Sequence, residues 1–426
     1  MGKRHWTVMV YMAADTDENL YNAALKDIGE LESAASGRKF SVFVHADAPF
    51  HWETKRLEIG NGKAAIPLSA VGAGIPESRS LPDFVRMCRH MSGPEDYYLL
   101  VLWGHGEGID WRSRILTQGQ AKRFNTGAED SLTIAQLGDA LKGLGIPKEK
   151  LVVGFDSCLM GMLEVYFELR DSVGWVVAAN DEIPLTGWPY HKIMPLLARE
   201  PHISPRILVS RIVDECKNFY SGNSSEGPVS FSACALDAAN CQKIRDAFER
   251  LTKELKRYLR RETVQDGIRW AREYAEDFRE EAYVDVNAFC AELQRQRDMP
   301  KSVKSAAKAV HGALMQMLIK PGIPRNYPPR YKEDSIAVSL CFPKSAELTG
   351  SLPGFKVDLK KYTELEFSDT GWPQLMLDVL ELWKVSMLPA AARRARYTAK
   401  PGKKRTYAPP KRVGAPPKRV GAPPPA

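Results

Sequence analysis

Apolar positions in this chain of 426 residues fall into short unbroken runs, helically spaced sets and, at the end, almost nothing. Two of the runs each end in a reactive side chain. Tyr97-Tyr98-Leu99-Leu100-Val101-Leu102-Trp103 is followed at once by Gly104-His105-Gly106, and Leu151-Val152-Val153-Gly154-Phe155 by Asp156-Ser157-Cys158. Runs of this length, rich in Leu and Val, predict strands buried on both faces, as in a parallel sheet. A helical pattern from Leu132 to Leu144 lies between them, which predicts a right-handed strand–helix–strand crossover. In such sheets the ligand crevice lies beyond the carboxyl ends of the strands. His105 and Cys158, 53 residues apart in the chain, are therefore expected to be neighbours there.

The same patterns extend in both directions. Trp6 to Met12 predicts a first strand, and a helix is expected from Leu20 to Ala34, with acids before it that suit capping and the helix dipole. Lys39 to Asp47 predicts a strand, Trp52 to Ile59 an outer strand or hairpin, and Leu81 to His90 a helix with Pro82 in its first turn. After Cys158 a helix is expected from Leu159 to Arg170. Trp175 to Ala179 predicts a strand ending at Asn180-Asp181-Glu182. A turn-rich loop (Pro184 to Tyr190), a helix (Ile207 to Phe219) and a strand (Val229 to Leu236) follow. The stretch between His105 and Leu132 carries Arg112, Arg114, Lys122 and Arg123 and predicts a long loop, a length usually reserved for function or mobility.

After Asp237 the texture changes. Ile244, Phe248, Leu251, Leu255 and Leu259 recur at helical spacing among charges, the mark of a long amphipathic helix. Strands are expected at Tyr283 to Phe289 and, more clearly, at Ser335 to Phe342, and a last helix at Trp372 to Trp383. From about Ala391 the chain has no core, and Ala408 to Gly414 is repeated as Ala415 to Gly421. Proline-rich, highly charged repeats of this kind favour extended, disordered chain. The organisation expected is an α/β domain over 1–237, a helix-rich part over 238–390 and a disordered basic tail over 391–426.

Composition narrows the function classes. The net charge of +8 belongs to the tail, which holds eleven Lys and Arg and no acid from Arg393 onward; the remainder carries 49 basic and 52 acidic residues, about −3. The charge therefore offers no nucleic-acid groove on the folded part, and any such contact would run through the tail. No apolar run reaches the roughly 18–20 residues of a membrane span. Lys3 and Arg4 precede a short apolar run without a cleavage site, which reads as core strand rather than leader and makes the cytoplasm the default location, with secretion left open. The seven cysteines are odd in number and scattered, with no CxxC pair. They form neither a disulfide framework nor a zinc site.

The chemistry at the strand ends follows from residue type. A thiol attacks as thiolate, a form favoured by a neighbouring His and by a helix N-terminus. Both are expected at Cys158. The Gly106 and Cys158 amides are candidates for an oxyanion hole. A cysteine after a strand is more often buried filler, but Cys and His at two strand ends across one crossover point to acyl transfer, most simply peptide hydrolysis.

Those residues carry a resemblance. Strand then Gly104-His105-Gly106, strand then Asp156-Ser157-Cys158-Leu159-Met160, the opening Trp6 to Asp15, Gly187-Trp188 and the strand Ser339 to Pro343 resemble the clostripain family of cysteine peptidases, of the caspase, legumain and gingipain clan, over roughly 6–385. The resemblance implies a caspase-like α/β/α sandwich with a mostly parallel sheet and a Cys158/His105 dyad. It also implies cleavage of protein or peptide substrates after Arg or Lys. Asp156 matches the family's pocket acid, and Asp181 is a second candidate; Ile183 and Leu185 depart from the family's pattern around Pro184. Self-processing in the 112–127 loop, after Lys122 or Arg123, is a further expectation. No cofactor is required by the sequence, and calcium, needed by some members, has Asp15, Asp17, Asp181 and Glu182 as candidate ligands. Two rival readings stand beside the peptidase: an inactive peptide-binding scaffold, and a binder of anionic surfaces through the tail.

Overall fold

The computed structural model describes residues 6–15, 18–34, 40–48, 54–59, 66–70, 77–92, 97–106, 108–109, 132–222, 226–278, 282–327, 333–344 and 362–386. The loop carrying Lys122 and Arg123, Asp17 and the repeated tail lie outside these residues.

Five parallel strands form the centre: β1 (Trp6–Met12), β2 (Ser41–Ala46), β5 (Tyr97–Trp103), β6 (Leu151–Asp156) and β7 (Trp175–Ala179). Antiparallel strands extend both edges: β3 (Lys55–Glu58) and β4 (Ile66–Ala70) beyond β2, and β8 (Phe231–Ala235) and β11 (Leu318–Gly322) beyond β7. The order among the described residues is β11-β8-β7-β6-β5-β1-β2-β3-β4. Pro321, which cannot donate to a ladder, sits on the edge strand, where that loss is tolerated.

Why the central strands are all-apolar is visible in their alternation. Met9 and Tyr11 of β1, Leu100 and Leu102 of β5, and Val153 and Phe155 of β6 join one core. Val8, Val10, Leu99, Val101 and Val152 join the other. Successive strand residues point to opposite faces, so a sheet covered on both sides needs an apolar residue at every position. One cover is α1 (Glu18–Ala34), α5 (Tyr190–Arg199) and α6 (Pro205–Gly222). The other begins with α2 (Glu77–Ser92), α3 (Ile134–Lys142) and α4 (Leu163–Leu169). α3 starts at a Thr133/Gln136 capping box, which satisfies two backbone donors reciprocally.

That second core continues into the C-terminal part: α7 (Ala238–Tyr258), α8 (Glu262–Tyr274), α9 (Val286–Arg295), α10 (Lys301–Met317) and α11 (Trp372–Ser386). A small sheet, β12-β10-β9 (Ser339–Cys341, Tyr283–Asp285 and Asp277–Phe278), lies among them. Asp285 caps α9 through the Asn287 and Ala288 amides, so the chain turns helical at Val286. The strand expected to run on to Phe289 therefore stops three residues after it starts. Pro82 lies well inside α2, which begins at Glu77, rather than in its first turn. α5 follows the turn-rich loop at once; its ten residues include Pro195, which hides a helix from pattern reading.

Met1–Lys384 forms one compact unit, separate from Val385–Ala426. No described helix is long and apolar enough to cross a membrane.

Candidate active site

The register of β5 and β6 builds the site. Trp103 pairs with Asp156 at the ends of the two parallel strands, so His105 and Cys158 each stand two residues beyond a matched pair. Gly104 turns the chain off β5 with φ +142°, a region that favours glycine, and its N–H donates to the Asp156 carbonyl at 3.2 Å. The Ser157 hydroxyl donates to the Leu102 carbonyl at 3.1 Å, pinning the end of β6 to β5. Gly106 lies against the Cys158 backbone: a Cβ there would come 2.4 Å from the Cys158 carbonyl oxygen and 3.1 Å from its nitrogen. His105 is exposed and Gly106 buried.

Cys158 is distinct among the seven cysteines. The other six are buried, and Cys158 is half-buried. Burial pushes the Cys88, Cys216, Cys234, Cys241 and Cys290 thiols up, which keeps them protonated and unreactive. The expected helix at Cys158 does not form there. Residues 157–162 make a turn, and α4 begins at Leu163, five residues after Cys158. Leu159 takes a left-handed φ of +64°, and its N–H donates to the Asp181 carbonyl at 3.0 Å. Gly161 donates to the Ala179 carbonyl and accepts from the Ser339 amide, so the turn is strapped between β7 and β12. The Ile183 N–H donates to Cys158 Sγ at 3.2 Å, and the thiol donates to the Ile183 carbonyl at 3.6 Å. Sequence reasoning missed this partner because it acts through its main chain.

Asp156 turns away from the thiol. Its Oδ2 accepts from the Trp188 amide at 3.0 Å and the Tyr190 hydroxyl at 2.9 Å. Burial pushes its carboxyl up, opposed by those two hydrogen bonds, with the Glu30 charge pushing it up further. Asp181 sits by Cys158 through its backbone, while its side chain accepts from the Tyr327 hydroxyl at 2.7 Å and Ser230 at 3.4 Å. Tyr327 and Asp181 adjoin Glu276, a buried acid pushed up to about 9, first by burial. Among the described residues no group of three or more His, Cys, Asp or Glu side chains could hold a metal ion. The candidate calcium ligands are therefore not gathered there, and Asp17 lies outside the described residues.

The profile of the clostripain family, Peptidase_C11, matches residues 10–326. The chain belongs to the clostripain family. It is a cysteine-type endopeptidase that takes peptide substrates. Clostripain of Hathewaya histolytica is 20% identical over 404 residues, covering 79% of this chain and 74% of that protein. Two solved structures share the fold. One is an inactive zymogen C11 protease from Parabacteroides distasonis, with TM-score 0.63 and 15% identity over 87% of this chain and 99% of that one. The other is a secreted C11 cysteine protease from Bacteroides thetaiotaomicron in complex with an irreversible peptide inhibitor, with TM-score 0.61 and 17% identity over the same shares. The caspase-like α/β/α sandwich expected of a clostripain-family chain is the one found. The expected cytoplasmic location is overturned: the Bacteroides protein is described as secreted. The apolar run on which the expectation rested is buried strand β1, which carries no information about compartment.

Proposed function

We propose that this clostripain-family peptidase cleaves after Arg or Lys through a Cys158/His105 dyad. The observation that supports the reading is the Trp103–Asp156 register, since each of the two residues stands two positions beyond that matched pair at a strand end. His105 takes the thiol proton and Cys158 Sγ attacks the scissile carbonyl. The Gly106 amide donates to the oxyanion, supported by its close packing on the Cys158 backbone. His105 then protonates the leaving amine, and the thioester is hydrolysed by a water that His105 deprotonates. The Ile183 main chain holds the Cys158 sulfur in place through its N–H and its carbonyl. A basic side chain beside the scissile bond requires a carboxylate, and Asp156 and Asp181 are assigned that task.

Turnover of matched fluorogenic peptides ending in Arg, Lys or Ala tests the assignment. Cleavage after Arg and Lys, lost in Cys158→Ala and His105→Ala, is expected. No turnover of either basic peptide, with or without added calcium, refutes it. Self-cleavage after Lys122 or Arg123 belongs to the same proposal: wild-type protein should yield two fragments and Cys158→Ala one intact chain, and two intact chains would refute it.

A further inference from the structure

Beneath the two reactive strand ends lies a second acid that the sequence did not single out. Asp27, midway along α1, reaches the end of β5. Its Oδ2 accepts from Trp103 Nε1 at 2.8 Å, and Trp103 is the register partner of Asp156. Asp27 is 1% exposed and Asp156 4%. A Cβ on Gly187 would lie 2.9 Å from Asp156 Oδ2, 3.2 Å from Asp156 Oδ1 and 3.2 Å from Asp27 Oδ2. Both carboxyls thus face one spot on a backbone that has no side chain there. The donors they receive, Trp103, Trp188 and Tyr190, are all neutral. Asp27 Oδ1 is buried and has no hydrogen-bond partner among the described residues. Two acids brought together out of water, with neutral donors only, form an incomplete arrangement that a cation would complete.

We propose that Asp27 is the second acid of the specificity pocket, and that Asp27 and Asp156 together receive the guanidinium or ammonium of the substrate's basic side chain beside Gly187. The proposal rests on the Arg/Lys reading above. Without a cation the pair retains a proton: burial, then the Asp156 charge, push Asp27 up, and burial pushes Asp156 up. The other groups that face the pair are Lys26 and Glu30 on α1, Tyr190 on α5, and Cys216 and Tyr220 on α6. A bound cation favours both charged forms, so binding expels the proton.

The alternative is that Asp27 only props Trp103 and through it the end of β5. Kinetics on Asp27→Asn separate the two, because asparagine keeps an acceptor for Trp103. Peptides differing only in Arg or neutral citrulline at the cleavage site are compared between about pH 6 and about pH 9. The proposal expects kcat/KM for Arg to fall about tenfold or more, chiefly in KM, with the Arg-to-citrulline ratio falling alongside and the pH dependence of KM flattening. An unchanged ratio, or an equal loss of kcat on both peptides, overturns it. A second measurement needs no change at Asp27: calorimetric titration of Cys158→Ala with benzamidine in buffers of different ionisation enthalpy near pH 7. Proton release on binding is expected, and no binding, or binding without proton release, overturns the proposal. If the wild type lacks a preference for Arg and Lys, or Asp156→Asn keeps it, the specificity reading itself has failed. If that reading stands and only Asp27→Asn is silent, the failure is this inference alone.

Discussion

Gly106→Ala tests how tightly the histidine turn and the cysteine turn are locked together. The added Cβ would meet the Cys158 carbonyl oxygen at 2.4 Å and the Ser157 Cβ at 3.0 Å. Neither neighbour is free to retreat, since Ser157 is bonded to Leu102 and the Leu159 amide to Asp181. Restoring an ordinary contact of about 3.4 Å means parting the two turns by about 1 Å, a misplacement worth on the order of 100-fold in rate. Gly106 is not in the left-handed region, so the effect comes from the contact alone. Overpacking of this kind costs about 1–3 kcal/mol, which the large shared core can absorb as a fall of a few degrees in Tm. The assay pairs kcat/KM on an Arg-ended peptide with the labelling rate of Cys158 by an irreversible inhibitor and a melting curve. A folded variant with both rates about 100-fold down is expected. Activity within about threefold of wild type would show that the turns do not need this separation, and would refute the locked geometry.

Four other outcomes follow from the same structure. Ser157→Ala removes the bond to the Leu102 carbonyl and should cost about 1 kcal/mol in urea denaturation, with no change at all counting against the pin between β5 and β6. Gly187→Ala, at φ +56° and facing both buried carboxyls, should raise KM for basic substrates more than it lowers kcat; the reverse split would place Gly187 outside the pocket. Gly154→Ala would set a Cβ 2.6 Å from the Trp188 ring and should lower Tm by several degrees, a loss that an unchanged melting curve would exclude. Glu276 is pushed from 4.5 up to about 9, so across that window the folded chain holds a proton the unfolded chain has released. Stability therefore falls as pH rises, by up to ~1.4 kcal/mol per pH unit, and Glu276→Gln in the Cys158→Ala background should flatten that slope. Parallel slopes in denaturation at about pH 6 and about pH 8 would refute it.

What could be read from the sequence follows from which interactions carry a pattern. β1, β5 and β7 were legible almost to the residue, because burial on both faces demands unbroken apolar runs. The matched ends of β5 and β6, from which His105 and Cys158 each stand two residues onward, were legible from topology. Asp156 became a pocket candidate through resemblance, not through pattern. The helix expected at Leu159 was misread because Leu159, Met160 and Met162 are apolar and fully buried, as helix residues would be, while serving a strapped turn. β11 was missed because an edge strand of Lys320, Pro321 and Gly322 lacks a strand's composition. Asp27 was invisible for a different reason. On α1 it is one acid among Glu18, Glu30 and Glu32, and only the tertiary fold buries it beside Asp156.

The same turn explains how one strand end can serve two purposes. In a continuing strand, Asp156 and Cys158, two residues apart, would face the same side of the sheet. Here Asp156 points to the layer of α1 and α5, with Trp188 and Tyr190, whereas Cys158 packs on the opposite core with α4 and the C-terminal helices. The chain leaves the strand geometry between the two, at Ser157, whose hydroxyl is bonded to the Leu102 carbonyl. On the proposed roles, a bound substrate would lay its scissile carbonyl over Cys158 and send its side chain down the other side of the sheet. The proposed roles of the two residues are thereby kept apart. The Cys158 sulfur is met by the Ile183 main chain, so the departure of Ile183 from the family's pattern leaves that contact intact. Any altered substrate preference should then arise on the Asp156 side, where side chains rather than backbone set the chemistry.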